Sequence, residues 1–122
     1  KEQLGDSLLN QVYDQKKTDD NSWGLATEVA TKGYDGTTDM MATGVYAKNN
    51  KTGETLSYAF TLPAGNYKLI SGHREWWGQA RTMKAELAFG NKSQDAGTIS
   101  LGGNADYVNT ASFTLDNEQL VT

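Results

Sequence analysis

The stretch His73-Arg74-Glu75-Trp76-Trp77-Gly78-Gln79-Ala80-Arg81 puts two adjacent tryptophans, two arginines and a carboxylate into one short polar connection. Each indole is a large apolar surface with a single N–H to satisfy, so a loop that carries a pair of them calls for something flat to cover it. The arginines add forked donors that match vicinal hydroxyls or a carboxylate. A pyranose asks for this combination, since its C–H face stacks on an aromatic ring while its hydroxyls need directional partners. Trp76, Trp77, Arg74, Glu75 and Arg81 are therefore the first ligand-binding candidates. Neighbours on an extended chain point to opposite faces, so one ring is expected to be buried and the other exposed. The plainer alternative folds one Trp over the core and leaves Glu75 and Arg81 merely paired.

Other residues are weaker candidates. His73 is the sole histidine and there is no cysteine, so it makes no dedicated metal site. At a strand end it is expected to be packed or hydrogen-bonded first and a ligand contact second. Trp23, in Asn21-Ser22-Trp23-Gly24, and Tyr34, in Gly33-Tyr34-Asp35-Gly36, fall in loop-like contexts that would join the aromatic loop at one end of a scaffold. For Trp23, anchoring the core edge ahead of a strand is an equal expectation. Asp14, Asp19, Asp20, Asp35 and Asp39 carry oxygens suited to calcium, but Asp35-Gly36-Thr37-Thr38-Asp39 lacks the alternating ligands and closing Glu of a calcium loop. Solvated turn aspartates are the favoured reading. Gly102-Gly103-Asn104 is too short for a phosphate loop and reads as a turn.

The elements that must position the loop are strands. In residues 55–62, Leu56, Tyr58, Phe60 and Leu62 share one face and Ser57 and Thr61 lie opposite. Pro63-Ala64-Gly65-Asn66 breaks the run, and 67–72 starts a second strand, which together predict a hairpin. Beyond the loop, 81–89 alternates again, with Met83, Ala85, Leu87 and Phe89 inward and Lys84 and Glu86 in water. Gly90-Asn91-Lys92-Ser93 is a turn, 97–101 a short strand and 107–115 a longer one. Weaker strands are expected at 24–31 and 43–47. Only 4–13 approaches a helical stripe, enough for one or two turns. Residues 117–122 read as the opening of another strand: either Leu120 and Val121 form a short final strand, or the domain lacks its last strands and leaves an edge open.

Composition bounds the rest. A chain of 122 residues is one domain, 1–122, able to close a core without staples. Thirteen glycines against one proline fit many short strands joined by turns. The formal charge is −4, with 11 basic against 15 acidic residues and no basic cluster. Nucleic acid and membrane surfaces are therefore not expected as partners. No apolar run reaches the length of a membrane helix, and a start at Lys1 reads as a module excised from a longer protein.

Glu54-Thr55-Leu56-Ser57-Tyr58, then Leu62-Pro63-Ala64-Gly65-Asn66-Tyr67, a strand, an aromatic loop and Arg81-Thr82-Met83-Lys84 together resemble the galactose-binding-like β-sandwich. Malectin-like domains and several carbohydrate-binding modules share that jelly roll. The likeness spans roughly residues 43–115. It implies an all-β antiparallel sandwich that binds sugar and is appended to a bacterial, secreted or cell-surface glycoside hydrolase. Relatives of this kind often hold a structural calcium between an N-terminal acidic residue and one near the C-terminus, and nothing here maps cleanly onto that pair. Their sheets also normally run on beyond the position of Thr122.

The expected function is thus a non-catalytic carbohydrate-binding module that brings an attached enzyme to a polysaccharide or glycan. A structural or protein-interaction domain of a multidomain extracellular protein is the alternative. A small glycosidase or lyase built on Glu75 stands third, because hydrolysis needs a second carboxylate across a cleft and Glu75 has no evident mate.

Overall fold

The computed structural model describes residues 2–3, 11–12, 14–33, 40–49 and 51–122. They form an all-β, antiparallel, sandwich-like protein, with no α-helix among the described residues. Contacts divide the chain into two compact units, Lys1–Phe60 and Thr61–Thr122. Each is described by itself.

In the first unit, β1 (Glu2–Gln3) pairs with β2 (Gln11–Val12), so the end of the stretch expected to be helical is strand. The rest of that stretch lies outside the described residues, as do Tyr34, Asp35 and Asp39. The single strand expected over 24–31 is two, β3 (Trp23–Leu25) and β4 (Val29–Gly33), separated by a bend at Ala26 and Thr27. A short 3-10 turn at Met40–Ala42 leads into β5 (Thr43–Ala47), which pairs with β4. β3 pairs with β6 (Tyr58–Leu62), whose last two residues belong to the second unit. Cross-strand partners Trp23 and Phe60 stack at 6.5 Å, and Tyr58, two residues from Phe60 on the same face, stacks on it at 6.1 Å. Gly24 is required here: a Cβ would stand 2.3 Å from the Lys17 backbone nitrogen, where that segment hydrogen-bonds across Leu25.

In the second unit, β7 (Gly65–Arg74) pairs with β10 (Asp106–Leu115) in one layer. β8 (Arg81–Phe89), β9 (Lys92–Leu101) and β11 (Gln119–Val121) lie in the other, in the order β11-β8-β9. The turn at 63–66 does not close a hairpin. β7 takes β10 as its partner instead, because Tyr67 turns inward to stack on Phe113 at 5.3 Å and carries the chain into the facing layer. Leu87, Phe89, Ala96 and Val121 from one layer meet Ala111, Phe113 and Leu115 from the other in a single core, with Leu62, Tyr67 and Ala85 at its margin. Leu87 and Phe89 point inward as the alternation of β8 requires, while Met83 near its start is exposed.

β9 begins at Lys92, five residues earlier than the sequence suggests. Its polar first half is exposed, so no apolar alternation announces it. A bulge opposite Ala85 and Glu86 then inserts Ala96 into the core. The final stretch forms the short strand: Thr122 exchanges backbone bonds with Ala88 at 2.8 and 2.9 Å. Where β9 and β10 run close together, side chains bridge them. Asn109 Nδ2 donates to the Ala96 carbonyl at 2.8 Å and Gln94 Nε2 to the Ser112 carbonyl at 2.8 Å.

Candidate functional site

Two connections cross between the layers at the same end of the second unit. Residues 75–80 lead from β7 to β8, and 102–105 lead from β9 to β10. The registers Arg74↔Asp106 and Arg81↔Leu101 put them side by side. The second crossing is a tight turn in which the Ala105 N–H donates to the Gly102 carbonyl at 3.1 Å, as the glycines foretold. Asn104 sits in its third position at φ 57°, in the left-handed region that Asn tolerates. The crossings touch: a Cβ on Gly103 would stand 2.7 Å from the Gly78 carbonyl oxygen.

Glu75 joins them. Its side chain is fully buried. One carboxylate oxygen accepts from the Trp77 N–H at 3.0 Å and Arg81 Nε at 3.2 Å, and the other accepts from the N–H groups of Gln79 and Asn104, each at 3.0 Å. The Glu75 N–H in turn donates to the Ala105 carbonyl at 3.0 Å. Burial pushes its pKa up, but the hydrogen bonds from Asn104, Trp77, Arg81 and Gln79 prevail and hold it at about 2. Sequence put Glu75 among the ligand contacts; its oxygens are instead taken up inside the loop.

Neither indole is swallowed by the interior, where one of the two was expected. Trp76 is half-buried, and Trp77 is 47 % exposed. The Arg81 guanidinium carbon lies 5.4 Å from the Trp77 ring centroid, so one side chain both pairs with Glu75 and braces the exposed ring. Gly78 turns the chain directly after it at φ 76°. Arg74 makes a forked pair with Asp106, at 2.7 and 2.9 Å, and these bonds hold the Asp106 carboxyl below its usual range. Its fork therefore ties β7 to β10. His73 is half-buried, with Nε2 2.9 Å from Ser71 Oγ, and burial lowers its pKa, which favours the neutral ring.

The loop thus brings Trp76, Trp77, Glu75 and Arg81 together, with Arg74 and His73 on the strand that leads in. Trp23 belongs to the first unit, where it stacks on Phe60 as a core-edge anchor. Asp14 accepts from the Tyr58 hydroxyl, and Asp19 and Asp20 are exposed. No group of three His, Cys, Asp or Glu side chains able to hold a metal occurs among the described residues. Sequence reasoning missed Asp106, Asn104 and Gly103, whose partners stand some 25 to 32 positions away along the chain.

An open recess of about 270 Å³ lies at the opposite end of the same unit, lined by Phe89, Asn91, Lys92, Asp116, Asn117 and Gln119. The length of β8, roughly 27 Å at the usual rise per residue, separates it from the aromatic loop. It holds no exposed ring. Comparison with family models, with curated proteins and with solved structures finds no match to this chain.

Proposed function

We propose that the 75–81 loop is a shallow glycan-binding site and that the chain is a non-catalytic carbohydrate-binding module. The observation that carries this reading is the exposed Trp77 ring, braced by Arg81 on a loop whose path is fixed by a buried carboxylate. A pre-set flat ring loses little freedom when a sugar stacks on it, which is how a small site gains useful affinity. Few groups reach each sugar, so affinity is expected at about micromolar to millimolar. A catalytic role for Glu75 is disfavoured, because its side chain is fully buried and each carboxylate oxygen already accepts two hydrogen bonds from within the two crossings, which leaves neither oxygen turned to a substrate.

The wider reading is a galactose-binding-like jelly roll attached to a secreted or cell-surface bacterial glycoside hydrolase, which it holds at a polysaccharide. A protein-interaction domain is the second reading. It is favoured by Ile70 and Val108, both exposed on the outer face of the β7–β10 layer. A glycan array probed with and without chelator, followed by titration of tryptophan emission, tests the first reading. Saturable binding that disappears in Trp77→Ala supports it; emission indifferent to every glycan transfers the case to the protein-interaction reading.

A further inference from the structure

We infer that Asn104, at the tip of the neighbouring turn, is the polar half of the Trp77 site and hydrogen-bonds a pair of adjacent hydroxyls on the stacked sugar. This rests on the glycan-binding reading above and names the group that would give it orientation. The two residues are held by one carboxylate: one oxygen of Glu75 takes the Trp77 N–H and the other takes the Asn104 N–H, each at 3.0 Å. Their backbones are therefore fixed relative to each other within a single rigid knot. The Asn104 amide nitrogen lies 3.5 Å from where a Cβ on Gly78 would stand, which places it against the residue that follows the exposed indole. Its side chain is exposed and makes no hydrogen bond among the described residues.

An amide carries one acceptor oxygen and two donor hydrogens side by side. That pairs with two vicinal hydroxyls, one donating and one accepting. An indole alone stacks almost any pyranose, whereas an amide at its rim discriminates by the position of the hydroxyls, because a mispaired polar group weakens binding. The ligand class is accordingly a neutral pyranose with two neighbouring hydroxyls directed past the ring edge. Gly78, which lies beside the Asn104 amide, carries no side chain to crowd it.

The test separates the amide from the backbone it stands on. Asn104→Gly keeps the left-handed conformation at no steric cost and removes only the side chain. Asn104→Asp keeps the conformation and the acceptor and removes the donor. Each variant and the unaltered chain are titrated with gluco-, galacto-, manno- and xylo-configured tetrasaccharides, with melting temperature as the folding check. The expected result is about tenfold weaker binding in Asn104→Gly with an unchanged melting temperature and a flatter preference among the four sugars, and a changed ranking of the sugars in Asn104→Asp, whose carboxylate accepts from two hydroxyls and donates to none. Asn104→Gly binding within twofold of the unaltered chain, with the same ranking of sugars, overturns the assignment and leaves the Trp77 platform standing. Failure of the unaltered chain to bind any of the four overturns both.

Discussion

Glu75 is the residue on which the site turns. Its folded-state pKa of about 2 lies below its ordinary value of 4.5, so it contributes stability that is complete above pH 4.5 and is lost as pH falls toward 2. A comparison of acid unfolding curves should show a step in that window that Glu75→Gln lacks. Glu75→Gln should also lower the melting temperature by several degrees at neutral pH, because an amide must turn one NH2 toward N–H groups that need acceptors. Trp77→Ala behaves in the opposite manner. About half of the residue's surface is in solvent and the rest packs with Arg81, so stability should fall by only about 1 kcal/mol while glycan titration loses its signal and its affinity. Residue types alone drew attention to the loop as a whole. They misplaced Glu75, because most of its partners are backbone N–H groups, which any sequence supplies and no side-chain pattern reveals.

At the scale of elements, β8 and β5 were legible to the residue, and β10 to within one. Strict alternation over Arg81–Phe89 leaves one choice of face, and a slip of one position would invert it. The pairing of β7 was not legible. A Pro-Gly turn between two alternating runs looks the same whether the chain folds back in the layer or crosses to the other, and the choice is made by Tyr67 meeting Phe113, 46 positions later. The contact between the two crossings gives a sharp prediction here. Gly103→Ala drives a methyl into the Gly78 carbonyl oxygen and should destabilise by roughly 1–3 kcal/mol, the usual cost of overpacking. In a denaturant melt the same variant should shift the tryptophan emission of the native baseline, because the loop must move to admit the added carbon.

For the molecule as a whole, charge is the long-range term. Eleven basic and fifteen acidic residues give a net −4, which repels polyanions at distances of about one Debye length, roughly 10 Å at 0.1 M salt. On the glycan-binding reading, contact with a neutral oligosaccharide rests on stacking and short hydrogen bonds, so its affinity should stay constant as salt rises from about 0.02 to about 0.2 M. Affinity for a polyuronate should increase over the same range. Isothermal titration at the two salt concentrations checks both, and a neutral-sugar affinity that falls steeply with salt would point to a charged contact where stacking has been placed. Composition foretold this acidic balance and the β class, since both are sums over the chain. The division into two units depends on which distant residues meet, and no sum contains that.

Because the buried carboxylate grips main-chain amides, the lettering of the loop is largely uncoupled from its shape. Gln79 and Ala80 are exposed, and Glu75 holds position 79 only through its N–H. A library randomised at 79 and 80, with position 104 limited to Asn, Asp and Gly because its backbone is left-handed, and with Glu75, Gly78, Arg81 and Gly103 left alone, should yield folded members in high proportion. On the glycan-binding reading, such a loop would serve as an exchangeable cassette for new saccharide preferences on an unaltered frame.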